Sequence, residues 1–303
     1  MSRMNGLRRY FSYLVIAALG LFLVSCAEEG SGESAAEEPT VEEEVVIEDQ
    51  VHYQVPSPSE TMEFLRSTNA EFHPEVLCSV DIREKYVDLK GKSMGMGIFI
   101  ADLAYASSFE KYQEAIKYFT AIIKMADDIG IGSSFDQALL SRIENNLSSP
   151  DSLTTISDDS YYKIIADLES NDRGKIVGMI AAGGFLEGLF IAVQLVDKFD
   201  ANDPAIKRIA AQKLTYENII KYLEQYREDQ NVEWTLMDMK ALEQIFLEVS
   251  DNRMDTEFSS NKSGKRVLGG TGGVYITEQE FEELRDQVTY LRNTITFNPP
   301  VPQ

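Results

Sequence analysis

One uninterrupted apolar run places the strongest constraint on how this chain can fold. The 21 residues from Ile176 to Val196 contain a single charge, Glu187, and several small residues, among them Gly183 and Gly184. This length permits a transmembrane helix, but one crossing would divide the rest of the folded chain between two compartments. We therefore predict the central helix of a bundle, apolar on all sides, whose small residues allow close packing.

The rest of the globular sequence has a helical period. Apolar residues recur at spacings of three and four, for example between Phe281 and Ile295. Thr277 and Glu280 form a capping box ahead of that helix. We predict helices at 59–68, 94–107, 109–128, 134–147, 157–169, 174–198, 204–228, 233–250 and 278–295. The predicted fold class is all-α, a multi-helix bundle with at most one small β-hairpin, formed by two short strands around a glycine turn near 266–277.

The first 25 residues have the order of an export signal. Arginines, among them Arg3 and Arg9, precede the apolar stretch Leu14–Val24, which is too short to span a bilayer comfortably. Residues 23–26 (LVSC) resemble the lipobox of bacterial lipoproteins. That resemblance implies cleavage before Cys26, a diacylglycerol on the Cys26 thiol and an acylated new N-terminus, and several acyl chains give stable anchoring. An ordinary cleavable signal with a chance cysteine is the alternative.

The segment after the cysteine has the composition of a tether. Residues 27–50 contain ten acidic side chains and no basic or aromatic one, so they cannot bury enough apolar surface to fold. The predicted organisation is a signal peptide at 1–25, a lipidated cysteine and disordered acidic tether at 26–50, and one α-helical domain at 51–303. The net charge of −22 argues against nucleic acid as a partner, because such binding needs a cationic surface.

Several short segments resemble a group of envelope proteins. Glu28 and Glu29, directly after the cysteine, resemble the export signal of surface lipoproteins in Bacteroidota. Together with PSPSE (56–60), ADLAY (101–105) and GGFLEGL (183–189), they make the chain similar to the uncharacterised helical lipoproteins of those outer membranes. The resemblance implies a lipid-anchored location and a helical domain, and it carries over no activity. Display on the cell surface and a periplasmic attachment both stay open.

Two acidic residues fall inside apolar helices. Asp102 and Glu187 are each surrounded by apolar residues in the sequence, and a buried carboxylate is costly unless it is paired or hydrogen-bonded. We interpret them either as members of structural ion pairs or, with Tyr105, as the lining of a polar pocket. Such a pocket would lie between the helices 94–107 and 174–198.

No residue pattern predicts catalysis. The segment 91–95 (GKSMG) matches the G-x-S-x-G of serine hydrolases, but that chemistry needs a later histidine, and His52 and His73 both precede it. We find no metal or cofactor motif, and we predict that Cys78 is a small buried residue. The sequence thus predicts a non-enzymatic binding or accessory lipoprotein, held to the membrane by Cys26, with an envelope protein as partner. The alternative is a small-molecule binder or enzyme that uses the helix-lined pocket.

Overall fold

The computed structural model describes Glu60 and residues 71–251, 258–260, 266–268 and 274–296. The predicted signal peptide and tether, residues 1–50, lie outside this part of the chain, and so does the predicted helix 59–68 apart from Glu60. The described part is an all-α bundle, as the periodicity of the sequence predicts.

Helices of ordinary length make up most of the described residues. They are α1 Leu89–Ser108, α2 Tyr112–Asp128, α3 Gln137–Glu144, α4 Pro150–Ser170, α5 Gly174–Gln194, α6 Pro204–Glu224, α7 Gln230–Met239, α8 Glu243–Glu248 and α9 Glu278–Thr296. Short 3-10 helices occur at Pro74–Val76, Val80–Lys85, Gly132–Ser134 and Lys240–Leu242.

Local side chains and backbone turns move several helix ends away from the periodic pattern. α1 begins at Leu89 rather than 94 because the Asp88 carboxylate accepts the N–H of Gly91 at 2.6 Å and caps the helix. α4 begins at Pro150 rather than 157, since proline fits the first turn of a helix. The segment predicted as one helix over 233–250 is divided into α7 and α8 by the 3-10 turn Lys240–Leu242.

The strands pair differently from the predicted hairpin. The segment 266–277 does contain two strands, β3 (Arg266–Leu268) and β4 (Val274–Tyr275), but each pairs antiparallel with an upstream partner. β3 pairs with β2 (Phe258–Ser260), and β4 pairs with β1 (Ser250–Asp251). A glycine-rich stretch indicates a turn but does not identify the partners of such short strands, because their register is fixed by the ladder they join.

Helix α5 is the centre of the bundle. It packs against α1, α4, α6, α7 and α9. It is long and apolar enough to cross a membrane, but 89% of its most apolar 18-residue window is buried inside the structure. The prediction of a central bundle helix is therefore confirmed.

The small residues of α5 let it contact α1 directly through the backbone. A Cβ atom placed on Gly183 would lie 2.0 Å from the carbonyl oxygen of Met94, and one on Gly97 would lie 2.0 Å from that of Ile180. Both distances are far below van der Waals contact. Glycine is thus required on each helix at this crossing.

The C-terminal helix α9 is capped at its start and anchored on the end of α5. Thr277 and Glu280 form the predicted capping box, in which the Thr277 N–H donates to Glu280 Oε2 at 2.6 Å and the Glu280 N–H donates to Thr277 Oγ1 at 3.3 Å. Arg285 then donates to the carbonyl oxygens of Val193 and Val196 at 3.2 and 2.6 Å. A guanidinium at this position satisfies backbone acceptors that a helix end leaves free.

Candidate functional site

Three ionisable side chains, each from a different helix, meet in the core. Asp102 comes from the middle of α1, Glu187 from the middle of α5, and Arg292 from the last turns of α9. Asp102 and Glu187 have no exposed surface, and Arg292 is 4% exposed. These three residues form what we call the core triad.

Arg292 and Glu187 form a two-bond ion pair. Arg292 Nε donates to Glu187 Oε2 and Nη2 donates to Oε1, both at 3.0 Å, the parallel geometry that makes such pairs strong. Nη2 also donates to the carbonyl oxygen of Val76 at 3.2 Å, and the guanidinium lies 4.5 Å from the centre of the Phe190 ring. Arg292 therefore joins α9 to α5 and to the 3-10 turn Pro74–Val76 at the same time.

Asp102 is held by one backbone hydrogen bond rather than by an ion pair. Its Oδ2 accepts the backbone N–H of Cys78 at 3.2 Å, while Oδ1 has no hydrogen-bond partner among the described residues. The negative charge of Glu187 acts on this carboxyl group across the helix crossing. Two carboxyl groups so placed in the core each disfavour the ionised form of the other.

The surroundings favour the protonated form of Asp102 over that of Glu187. Burial raises the pKa of Asp102 well above its usual range, and the negative charge of Glu187 raises it further. Burial also raises the pKa of Glu187, but the Arg292 charge and the hydrogen bonds from Arg292 oppose that rise. Its surroundings thus favour the neutral form of Asp102, whereas Arg292 favours the anionic form of Glu187.

Cys78 lies beside the triad as a structural residue. It is 1% exposed, and burial raises the pKa of its thiol above the usual value, so the unreactive protonated form is favoured. Its N–H bonds to Asp102, and its carbonyl oxygen accepts the Tyr118 hydroxyl at 2.7 Å. The prediction of a small buried cysteine is confirmed.

Tyr105 belongs to a different cluster. It is fully buried, its hydroxyl accepts the backbone N–H of His73 at 2.9 Å, and its ring lies 5.4 Å from that of Phe72 and 5.0 Å from that of Phe109. The structure thus brings Asp102 and Glu187 together and gives Tyr105 a separate set of partners. A pocket lined by all three residues stays a prediction.

Arg292 is the member of the triad that sequence reasoning missed. It follows Leu291 directly and lies four residues after Val288, beside the apolar stripe of α9 rather than opposite to it. A cation at the edge of a buried stripe, in a chain with two isolated buried acids, is a signal for a buried ion pair. The periodicity alone marks only the apolar residues.

A surface groove lies apart from the triad. It has a volume of about 420 Å³ and lies between the 3-10 helix Val80–Lys85 and α2. Two of its three cations have acidic partners nearby: Arg83 lies 3.5 Å from Asp128, and Lys117 lies 2.8 Å from Glu114. Among the described residues, no group of three or more metal-ligating side chains is found.

The raised pKa of Asp102 predicts that the stability of the fold depends on pH. The folded protein binds the Asp102 proton more tightly than the unfolded chain does, so this group favours folding at low pH. We expect this contribution to decline at about 1.4 kcal/mol per pH unit as pH rises from the usual aspartate value of 3.8 toward the raised folded pKa. In Asp102→Asn, where the side chain resembles the neutral acid, we expect the decline to be absent.

Urea denaturation of the native chain and of Asp102→Asn at intervals between pH 5 and 8 measures this difference. If the two free energies of unfolding stay parallel over that range, Asp102 is not the group that carries the proton.

Comparison of the chain with models of known protein families, with characterised proteins and with solved structures found no match.

Proposed function

We propose that this protein is a lipid-anchored lipoprotein of the outer membrane whose helical domain serves a non-enzymatic binding or accessory role. The observation that carries the proposal is the run of residues 23–26 (LVSC), which ends an apolar stretch that begins behind basic residues. The acidic segment 27–50 would give the domain reach from the membrane. The partner would be another envelope protein.

The burial of the carboxyl and thiol side chains in the core supports a binding role rather than catalysis. Glu187 is bonded to Arg292, Asp102 accepts the N–H of Cys78, and the Cys78 thiol is buried. The two carboxyl groups thus join elements of the bundle. A side chain with its hydrogen bonds taken up inside the core is a poor candidate for contact with a substrate.

Lipid attachment at Cys26 is the first test. We expect the native chain to incorporate a labelled fatty acid and to fractionate with membranes, because several acyl chains hold a protein at a bilayer stably. In Cys26→Ala we expect both the label and the membrane fractionation to be lost. Gel fluorography and detergent phase partitioning measure the two properties.

The second cysteine supplies the matched control. Cys78 is the only other thiol in the chain, so Cys78→Ala is expected to keep the label and the membrane association. Retention of the lipid by Cys26→Ala, or its loss from Cys78→Ala, would contradict the proposal.

A further inference from the structure

Helix α7 exposes an apolar pair on its outer face. Val232, Leu236 and Met239 are buried on the inner side, while Trp234 is 44% exposed and Met237 is 65% exposed. These two side chains are three residues apart, so they lie next to each other on the helix surface. We call Trp234 and Met237, with their flanking acids Glu233 and Asp238, the α7 face.

The geometry of a helix places an acid on each side of the apolar pair. With 3.6 residues per turn, Glu233 lies beside Met237 on one flank, and Asp238 lies beside Trp234 on the other. Glu233 is exposed and accepts the Gln230 amide at 2.8 Å, whereas Asp238 is bridged to Lys90 at 2.6 Å. The surrounding segment 228–248 holds six acidic residues and one basic residue, Lys240.

We propose that the α7 face binds a cationic amphipathic segment of the envelope partner, an inference that rests on the binding role proposed above. The apolar side of such a segment would cover Trp234 and Met237, and its Lys or Arg residues would meet Glu233, the flanking acid that is not bridged to a lysine. Tryptophan is enriched among the residues that dominate binding energies, and its ring attracts cations. Methionine adapts its shape to different partners.

Trp234 is the chain's single tryptophan, so its fluorescence reports on this face alone. The experiment titrates the full chain carrying Cys26→Ala with a short peptide of Leu and Lys at helical spacing. A peptide of Leu and Glu at the same spacing serves as its counterpart. The expected result is a saturable blue shift of the Trp234 emission with the Lys peptide, weakened by salt, and no shift with the Glu peptide.

Two variants distinguish binding at the α7 face from a general electrostatic attraction of the Lys peptide to a protein of net charge −22. Met237→Glu adds a negative charge, so a purely electrostatic attraction would bind the Lys peptide equally or more tightly. The proposal instead expects the Kd to rise about tenfold or more, as on loss of a dominant contact. Tyr112→Glu places the same charge at another exposed position, on α2, and is expected to leave the Kd nearly unchanged.

Several results would overturn this inference. They are the absence of a saturable shift with the Lys peptide, an equal shift with the Glu peptide, and equal or tighter binding of the Lys peptide by Met237→Glu. A shift that appears on raising the protein concentration alone would identify a second copy as the occupant, and a shift only with phosphatidylcholine vesicles would identify a membrane surface. None of these results affects the lipid test at Cys26, so failure of the two proposals can be told apart.

Discussion

Replacing Arg292 by methionine is expected to lower the free energy of unfolding by about 3–5 kcal/mol, the usual cost of leaving one buried charge without its partner. The variant removes both bonds to Glu187 and the bond to the Val76 carbonyl oxygen. Glu187 would then remain fully buried beside a second carboxyl group. Chemical denaturation followed by circular dichroism measures the loss.

The double variant Arg292→Met with Glu187→Leu is the control for this prediction. A buried ion pair replaced as a whole by apolar residues is often close to neutral, so we expect the second substitution to restore most of the lost stability. Glu187→Gln alone is expected to be costly, because it leaves the Arg292 charge uncompensated. Additive losses in the double variant, or a loss below about 1 kcal/mol in Arg292→Met, would show that the pair does not hold the core together.

Substitution of Gly183, at the crossing of α1 and α5, is expected to have the second large effect on stability. In Gly183→Ala the new Cβ atom would meet the Met94 carbonyl oxygen at 2.0 Å. Backbone atoms cannot move aside as the end of a side chain can. The two helices would have to separate, and we expect a loss of at least about 2 kcal/mol, within the range for overpacked cores. Thermal unfolding of the variant measures it.

The neighbouring glycine is a matched control. A Cβ atom on Gly184 would come no closer than 3.3 Å, to the carbonyl oxygen of Gly97, a tight contact that a small shift relieves. Alanine also favours a helix over glycine by about 1 kcal/mol. Gly184→Ala is therefore expected to have a much smaller effect, and equal losses at both positions would contradict the crossing geometry.

Composition and periodicity were sufficient to predict much of the fold. The apolar run around Glu187 identified α5 as the core helix, and Thr277 with Glu280 identified the start of α9. Helix ends were harder to predict from the sequence, because a cap such as Asp88 acts locally and leaves the apolar period unchanged. The pairing partners of β3 and β4 could not be predicted either, since strands of two or three residues carry too little pattern to fix a register.

The candidate site could be predicted from the sequence only in part. The cost of burying a carboxylate was enough to single out Asp102 and Glu187. Their meeting in space and the identity of their cation depend on how α9 docks. Arg292 lies 105 residues from Glu187 in the chain, and no local rule joins positions so far apart. Tyr105 was grouped with the acids because of its spacing along α1. In the structure its ring packs against Phe72 and Phe109, and its hydroxyl accepts the N–H of His73.

Cross-linking on intact cells tests the binding role most directly. The lipidated native chain is cross-linked in place and purified, and the proteins recovered with it are identified and quantified by mass spectrometry. The account predicts one dominant envelope protein in a nearly constant ratio to this chain, and a marked loss of that protein in Met237→Glu. Recovery of only scattered neighbours, in proportion to their abundance, would contradict the account and favour a small-molecule role for the domain.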